Sequence, residues 1–354
     1  MEKINKLQEF LKSSHEAVII YSPENRRYFS GFPSSDGYLV VTKNDAVLFT
    51  DSRYIEAAQK NARCRALQVT RASIEIKQYL KDNGILRAYT ERERVTVSIS
   101  DFFKTAFLPC RTTPSKKLEK KIDELRRIKT AEEIESIKKA QAIAEDAFEY
   151  ILTFIKPGVT EKQIALELDF YMLSHGAEAL SFETIAVTGA KSSMPHGVPD
   201  DTVVKNGDFI TMDFGAVYNG YHSDMTRTVA VGNISDEQKE IYNIVLSAQK
   251  AALKILKKGL PCCDADKAAR DIIKNAGYGD YFGHSTGHGV GIEIHEKPNL
   301  APKSDHILEV GNIVTVEPGI YIPDKFGVRI EDMALITENG CENLTSTPKE
   351  LIIL

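Results

Sequence analysis

The chain has 354 residues, of which 42% are hydrophobic and 27% charged, and its formal net charge is −5. This length suits two domains better than one core, and the composition is typical of a folded globular protein, not a disordered one. The negative charge and the lack of a Lys/Arg block with interleaved aromatic residues argue against a nucleic-acid partner. No segment has the roughly 18 to 20 consecutive apolar residues of a membrane-spanning helix, so no membrane partner is expected.

The cysteines and the N-terminal residues indicate the compartment. The five cysteines are odd in number, scattered, and form no CxxC pair, so neither a disulfide framework nor a zinc-finger site is expected. The first residues, MEKINKLQEFLKSSHEA, are charged throughout and lack the apolar segment of a signal peptide. We therefore expect a cytoplasmic protein.

The N-terminal third alternates between helical and strand-like patterns. Helices are predicted at 3–12, 54–62 and 73–82, and strands at 17–22, 37–41, 46–50 and 66–70. This alternation predicts a small α/β domain over residues 1–125. The charge-dense residues 115–130 are either an ordinary solvated helix or, as we expect, the helix that links this domain to a second one over residues 126–354.

The second domain begins with longer and better marked helices. Capping boxes at Thr130–Glu133, Thr160–Gln163 and Ser235–Gln238 predict the starts of three helices. These helices end near 157, 175 and 258, and a fourth helix is predicted at 265–275. The strand-like segments lie at 184–188, 209–217, 221–231, 290–295, 312–321 and 327–337. The pattern predicts an α+β domain with long helices against an antiparallel sheet.

Two aspartates in this domain interrupt apolar strand-like segments. Asp213 lies in FITMDFG, and Asp224 lies in the returning segment GYHSDMT. Asn219-Gly220 between them is a strong hairpin signal. A turn there places Asp213 opposite Thr226 and leaves Asp224 as its diagonal neighbour on the same face of the sheet. Two carboxylates on one half-buried face repel each other unless a cation lies between them, and a divalent ion meets that need.

Further candidate ligands follow in the chain. His284, His288 and His295 lie within twelve residues that also contain three glycines, and Glu317 and Glu331 again interrupt apolar segments. A single acid in a strand is most often a solvent-facing residue. Four acids and a histidine between residues 213 and 331 instead indicate a pair of ions such as Mn²⁺, Co²⁺, Fe²⁺ or Zn²⁺. Hydrolysis is the chemistry that such a pair performs.

These motifs resemble those of the pita-bread metallopeptidases, specifically the Xaa-Pro aminopeptidase (aminopeptidase P) and Xaa-Pro dipeptidase (prolidase) branch. The order of ligands in that family is Asp, Asp, His, Glu, Glu. It is matched here by MDFGA, GYHSDMTRT, GHGVG, VEPGIY and VRIED, which contain Asp213, Asp224, His288, Glu317 and Glu331. The N-terminal segments SPENRRY, GF and TDSRY resemble the creatinase-type domain that precedes the catalytic domain. The resemblance implies a pita-bread catalytic domain after a smaller α/β creatinase-type domain.

The resemblance also implies residue roles. Asp213 would chelate one ion, Asp224 and Glu331 would bridge both, His288 would bind one, and Glu317 would bind a metal and act as general base. His196, in Met194-Pro195-His196-Gly197, would lie near the scissile nitrogen, and His295 would contact the tetrahedral intermediate. His284, Arg329 and Tyr321 would bind substrate, and Ile320 and Tyr321 would form a wall for the proline ring. Lys191 places a cation, near the pocket wall, where relatives often have a neutral amide.

The implied activity is hydrolysis of the Xaa-Pro bond in dipeptides or short proline-containing peptides. Two divalent ions per chain are implied, Mn²⁺ first and Co²⁺, Zn²⁺ or Fe²⁺ as alternatives, in a homodimer. The sequence does not separate a dipeptidase from aminopeptidase P, although short substrates are slightly favoured. Alternatives are a methionine aminopeptidase-like or general aminopeptidase and a non-enzymatic binding module of the same fold. The first usually lacks the N-terminal domain, and the last would show replaced ligands.

Overall fold

A computed structural model describes residues 2–354, and the chain divides into the units Met1–Leu125 and Arg126–Leu354. In the first unit the helices are α1 (Glu2–Phe10), α2 (Pro23–Ser30), α3 (Ile55–Asn61), α4 (Ala72–Asp82), α5 (Val97–Ala106) and α6 (Lys116–Arg127), the last ending just past the boundary. Its strands are β1 (Glu16–Ile20), β2 (Tyr38–Thr42), β3 (Ala46–Thr50), β4 (Arg65–Gln68), β5 (Arg87–Thr90) and β6 (Arg111–Pro114). Among the described residues, no helix combines the length and apolar character needed to cross a membrane.

The strands of the first unit form one mixed sheet in the order β4-β3-β2-β1-β5-β6. The hairpin pairs β1–β2 and β2–β3 are antiparallel, and the outer pairs are parallel. Apolar residues from the sheet and from α4 and α5 pack into one buried core. The sequence analysis missed α2, whose start has a recognisable signal because Pro23 occupies the first turn of the helix.

The second unit contains the four long helices that the sequence predicts. They are α7 (Ala131–Phe154), α8 (Glu161–Ser174), α9 (Asp236–Ile255) and α10 (Cys262–Asn275). The three predicted capping boxes form in full at the starts of α7, α8 and α9, with each N-cap hydroxyl accepting a backbone N–H and each N3 side chain accepting one in return. Short 3₁₀ turns are formed by Gly189–Ser193 and by Gly279–Tyr281.

The strands of the second unit pair with one another in antiparallel fashion. They are β7 (Ala179–Leu180), β8 (Ile185–Thr188), β9 (Phe209–Phe214), β10 (Ala216–Tyr218), β11 (Tyr221–His222), β12 (Met225–Ala230), β13 (Gly287–Gly289), β14 (Glu296–Leu300), β15 (Ile313–Val316), β16 (Gly319–Ile322), β17 (Phe326–Arg329), β18 (Asp332–Ile336) and β19 (Cys341–Asn343). Their sheets have the orders β11-β10-β7, β12-β9-β8, β14-β13-β15-β18-β19 and β16-β17. The α+β prediction for this unit is confirmed.

Two apolar cores support the strands. One joins α7 and α8 to β8, β9 and β12, and the other joins α9 and α10 to β15, β16, β17 and β18. Strands β9 and β12 contribute residues to both cores. The candidate ligands lie on strands, or between strands, that both cores hold in place.

Two kinds of strand prediction were wrong. The predicted strand 290–295 is a series of bends between β13 and β14, in which the Gly291 N–H bonds to the Glu293 carbonyl instead of to a neighbouring strand. The predicted long strands 312–321 and 327–337 are each broken, at Glu317-Pro318 and at Ile330-Glu331. Pro318 has no N–H to donate to a ladder, and both breaks coincide with candidate ligands.

Candidate metal centre

The hairpin that carries the two aspartates forms as the sequence predicts. Asn219 and Gly220 both have positive φ, 50° and 79°, as a type I′ turn requires. Asp213 in β9 lies opposite Thr226 in β12. Asp224 lies in the break before β12, and its side chain is only 6% exposed. Both aspartates line the same cavity.

His288, in β13, faces these acids. Its Nε2 lies 3.5 Å from an oxygen of Asp224 and 3.5 Å from an oxygen of Glu317. Its Nδ1 donates to the Gly289 carbonyl at 3.0 Å, which leaves the Nε2 lone pair free to face the acids. Burial lowers the pKa of His288 to about 4. The ring is therefore neutral near pH 7, and the neutral ring is the form that binds metals.

Glu317 and Glu331 complete the cluster from two different strand ends. Glu317 follows β15 and accepts a hydrogen bond from the Thr315 hydroxyl at 3.2 Å. Glu331 precedes β18, and its Oε2 accepts a hydrogen bond from the Thr226 hydroxyl at 2.6 Å. One ligand atom from each of Asp224, His288 and Glu331 lies within 4.8 Å of the others. Such convergence of oxygen and nitrogen donors is what a metal site requires.

The electrostatics of the cluster are those of crowded, buried anions. Burial raises the pKa of Asp224 well above its usual range, and the charges of Asp213 and Glu317 raise it further. Burial and the charge of Asp224 do the same for Glu331. Burial raises the pKa of Glu317 to about 8, although Arg329 opposes the shift. These acids have too little positive charge around them to remain ionised together.

Two bare oxygens show that the donor set fits metal ions. Asp213 Oδ2 accepts from Arg329 Nη2 at 2.7 Å, and Glu331 Oε2 is held by Thr226. The second oxygen of each, Asp213 Oδ1 and Glu331 Oε1, is buried and has no hydrogen-bond partner among residues 2–354. A buried carboxylate oxygen without a partner is unfavourable, and a divalent ion would satisfy it. Carboxylates with one imidazole suit Mn²⁺, Co²⁺, Fe²⁺ or Zn²⁺.

A hydrogen-bonded chain orients Asp213 from behind. Arg329, itself buried, donates to Asp213 and, from Nη1, to the Tyr321 hydroxyl at 2.8 Å. The Tyr321 hydroxyl lies 2.9 Å from His284 Nε2, and His284 Nδ1 donates to the Ser285 carbonyl at 2.8 Å. Burial lowers the pKa of His284 to about 4, so the ring is neutral near pH 7 and its Nε2 accepts a hydrogen bond from the Tyr321 hydroxyl. Of the three predicted substrate-binding residues, Arg329 and His284 line the cavity, and Tyr321 lies behind them.

The cluster opens into a cavity of about 700 Å³, the size of a small-molecule site. His196 and His295 line it together with the candidate ligands, and the His295 ring packs edge-on against that of His288 with centroids 4.4 Å apart. Burial lowers the pKa of His295, and the charge of His196 adds to the effect. The apolar part of the lining consists of Phe182, Ile185, Pro195, Val198, Pro199 and Ile294.

The sequence-based assignment of Ile320 and Tyr321 to the pocket wall was wrong. Ile320 is fully buried in the core under α9 and α10, and Tyr321 is 7% exposed, so neither forms the apolar wall. Lys191 does not line the cavity either, because its ammonium group is drawn away to Glu161 and Asp200. The actual wall comes mainly from segments 182–185 and 195–199, of which only residues 184 and 185 belong to a predicted strand.

The sequence analysis also missed the ion cluster that holds the segment before β14. Glu296 directly follows His295, and its carboxylate is bound by Arg126 and by Lys129 at 3.2 Å. It also accepts the backbone N–H of Glu293 at 3.1 Å. Although burial opposes the shift, Lys129 and Arg126 lower the pKa of Glu296 to about 2. The local sequence signals this ion cluster only by an acid next to a histidine. The two cations that bind Glu296 lie far away in the sequence.

A cavity floored by crowded, buried acids, two of which have a bare oxygen, beside a neutral histidine, defines the class: a metal-dependent hydrolase. The chain belongs to metallopeptidase family M24, whose model matches residues 135–338. The model of the creatinase/prolidase N-terminal domain matches residues 3–128. The expected creatinase-type domain and α+β pita-bread catalytic domain are thereby confirmed.

Individual relatives cover the whole chain. It is 44% identical to an uncharacterised peptidase of Bacillus subtilis, over 100% of this chain and 99% of that one. The solved structure of an Xaa-Pro dipeptidase from Bacillus anthracis is 45% identical, with a TM-score of 0.96 over 100% of this chain and 99% of the other. That of an X-Pro aminopeptidase from Thermotoga maritima is 37% identical, with a TM-score of 0.92 over 99% and 100%.

Proposed function

We propose that the chain cleaves the peptide bond before proline in dipeptides or short peptides, with two divalent metal ions. The observation that carries the metal part is the pair of bare, buried oxygens on Asp213 and Glu331 beside a neutral His288. The names of the Bacillus anthracis and Thermotoga maritima structures support proline as the residue after the cleaved bond.

The residues that would hold the ions are Asp213, Asp224, His288, Glu317 and Glu331. Mn²⁺ is the first candidate, with Co²⁺, Zn²⁺ and Fe²⁺ as alternatives that the same donors accept. When bound, such ions make water nucleophilic at neutral pH and polarise the scissile carbonyl. The other oxygens of these two carboxylates, Asp213 Oδ2 and Glu331 Oε2, are bound by Arg329 and Thr226 and keep the side chains oriented toward the cluster.

Side chains that line the cavity would carry out the proton transfers. Glu317, which lies beside His288, would act as the general base that accepts a proton from the attacking water. His196 acts at the departing amine nitrogen, where the proline ring leaves as a secondary amine. His295, beside His288, donates a hydrogen bond to the developing oxyanion.

Proline specificity is assigned to the apolar lining. A bond to proline has no N–H, and its nitrogen lies in a rigid ring, so the pocket needs an apolar surface more than a hydrogen-bond acceptor. Phe182, Ile185, Val198 and Ile294 offer such a surface beside the acids. A less bulky second residue such as alanine would leave this surface unfilled. The missing methylenes would weaken binding of the transition state by about 1–3 kcal/mol, and this difference favours proline.

The test compares kcat/KM for Ala-Pro and Ala-Ala at equal Mn²⁺ loading, with metal content measured by elemental analysis. We expect the ratio to favour Ala-Pro by about tenfold to a few hundredfold. A ratio near one would keep the hydrolase and overturn the proline assignment, with a general or methionine-specific aminopeptidase next. Full activity after exhaustive chelation, with no metal detected, would overturn the metallopeptidase mechanism.

The preferred substrate length, the assembly and the compartment are part of the same proposal. We expect Ala-Pro to be cut faster than Ala-Pro-Ala, and the reverse order would assign an aminopeptidase. The chain is proposed to act as a homodimer in the cytoplasm. Sedimentation of the metal-loaded protein at micromolar concentration tests the dimer, which a single species of 39.4 kDa would contradict.

A further inference from the structure

Lys191, which does not line the cavity, lies at the centre of an ion cluster beside it. It belongs to the 3₁₀ turn Gly189–Ser193. Its Nζ is 2.7 Å from Glu161 Oε2 and 2.8 Å from Asp200 Oδ2. The Glu161 side chain is completely buried, the Lys191 side chain is 19% exposed, and the Asp200 side chain is 60% exposed. The ammonium group therefore joins a buried acid in the first turn of α8 to an exposed acid on a loop.

Glu161 also binds the backbone at two distant points. Its Oε1 accepts the Thr188 N–H at 2.7 Å, and its Oε2 accepts the Asp200 N–H at 3.2 Å. Thr188 ends β8, and Asp200 lies twelve positions later in the chain. One buried carboxylate therefore ties together the two ends of segment 188–200, and Lys191 within the segment neutralises its charge.

The tied segment carries His196. Pro195, His196, Val198 and Pro199 from the same segment line the cavity. The Pro195 carbonyl also accepts a hydrogen bond from Arg329 Nη1 at 3.2 Å. The other terminal nitrogen of the same guanidinium group, Nη2, binds Asp213. The place of the His196 ring in the cavity thus depends on how firmly the segment is held at its ends.

We propose that Lys191, with Glu161 and Asp200, is a positioning residue that fixes segment 188–200 and so holds His196 at the scissile bond. The role of His196 in this inference rests on the proposed function. The physical reason is that a proton donor must stay within hydrogen-bond distance of its target, and a displacement of 1 Å costs up to about a hundredfold in rate. Lys191 acts through His196, because its own ammonium group contacts neither the cavity nor the candidate ligands.

A lysine is needed because of the burial of Glu161. Burial raises the pKa of Glu161, and Lys191 opposes that shift. Without the ammonium group the carboxylate would be buried without a cation, which is strongly unfavourable, and the segment would shift to expose it to water or the carboxylate would take up a proton. A neutral side chain at 191 therefore loosens the segment, whereas arginine can keep the ion pair.

The first experiment compares Lys191→Met, Lys191→Arg and the control Lys258→Met, all loaded with Mn²⁺. Lys258 pairs with Glu338 in an exposed ion pair, in which the two side chains are 55% and 67% exposed, so its loss should leave kcat unchanged. We expect Lys191→Met to lower kcat for Ala-Pro about tenfold or more with unchanged metal content, and Lys191→Arg to stay within about threefold of wild type. Unchanged kcat in Lys191→Met would overturn the proposal.

A second comparison tests whether the effect passes through His196. In a His196→Ala background, Lys191→Met should cause little further loss of kcat, because residues that act as a unit are not additive. An equal loss in both backgrounds would show that Lys191 supports the fold in general and would overturn the positioning role. The double variant Glu161→Gln/Lys191→Met has no buried unpaired charge, and the same kcat loss in it would confirm that the ion pair is needed for position.

A third measurement does not depend on activity. Amide hydrogen exchange over residues 188–200 should be faster in Lys191→Met than in wild type, while α8 and the Lys258→Met control stay unchanged. If wild type failed to cleave Ala-Pro, the proposed function would be wrong, yet faster exchange would still support the anchoring of the segment. Unchanged exchange in Lys191→Met would overturn the anchoring itself, whatever the substrate.

Discussion

Glu331 and Asp332 are consecutive acids, both buried, yet their surroundings are opposite. Glu331 faces the candidate ligands, has one bare oxygen, and has a pKa raised by burial and by neighbouring acids. Asp332 begins β18 and faces the other way. Its carboxylate is bound by Arg227 at 2.8 Å, by Gln249 at 2.9 Å and by Lys349. Although burial opposes the shift, Arg227 and Lys349 lower the pKa of Asp332.

The difference separates an acid that the fold neutralises from one that it does not. Around Asp332 the chain supplies two cations of its own, so the carboxylate is a structural ion-pair centre. Around Glu331 burial raises the pKa, and the charges that raise it further are those of other acids, with Asp224 first. A buried charge is stable only with a partner. The missing partner at Glu331 is therefore expected to come from solution, and the following predictions test this contrast.

The largest effect is expected for Asp224→Asn, which removes a ligand charge from the unneutralised cluster. An amide cannot replace a carboxylate between two cations, so kcat for Ala-Pro should fall about a thousandfold or more. Because one of several repelling charges is removed, the metal-free variant should unfold at the same temperature as wild type or higher. Near-wild-type kcat and metal content in this variant would contradict the assignment.

The next effect concerns the two histidines that line the cavity without a place in the ligand cluster. His196→Ala and His295→Ala should each lower kcat/KM by about 10²–10⁴-fold, the range for a lost proton donor or oxyanion contact. Both variants should keep the wild-type metal content by elemental analysis. Loss of one metal equivalent in either variant would show that this histidine is a metal ligand and would contradict its placement outside the ligand cluster.

Asp332→Asn should act on stability and spare the metals. Arg227 and Lys349 would lose their anionic partner inside the core, at a cost of about 3–5 kcal/mol in the free energy of unfolding. Urea denaturation of the metal-loaded protein measures this loss, and metal content should match wild type wherever the variant is folded. If Asp332→Asn were as stable as wild type but lost metal, the roles of the two neighbouring acids would have been exchanged.

The sequence predicted the parts of the site that local pattern determines. Asn219-Gly220 fixed the hairpin register, and with it the pairing of Asp213 with Thr226. The ligand motifs lie in short segments whose order matches one family, and the capping boxes set the starts of three helices. The distinction between Glu331 and Asp332 came from the family motif alone, because both acids occupy the same kind of apolar segment.

What the sequence could not predict depends on partners far apart in the chain. In residues 290–295, valine and isoleucine alternate with glycine, glutamate and histidine as in a strand, yet Glu296 bends the segment by binding Arg126 and the Glu293 N–H. Arg126 lies 170 positions away, so no local pattern reveals it. The ion pair of Lys191 was likewise not predicted, because its partner Glu161 is 30 positions earlier in the chain.

Buried acids recur as anchors of the segments that carry the histidines. Glu161 holds the segment of His196, and Glu296 holds the segment before β14. Asp266 accepts the Thr286 N–H at 3.1 Å and pairs with Arg270, which in turn donates to the His284 carbonyl at 2.7 Å. Each anchor has its own cation and so resembles Asp332, not Glu331. The catalytic unit thus surrounds an unneutralised cluster with acids that are neutralised.

The smallest effect in this series is the pH dependence of the Glu296 anchor. The pKa of Glu296 is lowered from 4.5 to about 2 in the folded chain, so its charged form favours folding. Its contribution, on the order of 3 kcal/mol, is complete above about pH 4.5 and is lost as pH falls toward 2. Glu296→Gln should therefore be less stable than wild type at pH 7, and the difference should shrink below pH 4.5.

Urea midpoints at pH 7, 5, 4 and 3 measure this difference. The matched control is Glu338→Gln, since Glu338 also pairs with a lysine but has a side chain that is 67% exposed. Its effect at pH 7 should stay below about 1 kcal/mol, because exposed ion pairs contribute little. A Glu296→Gln difference that persisted unchanged at pH 3 would assign the loss to packing. In that case the Glu296 anchor would not be held by charge, and the contrast with the metal cluster would not extend to it.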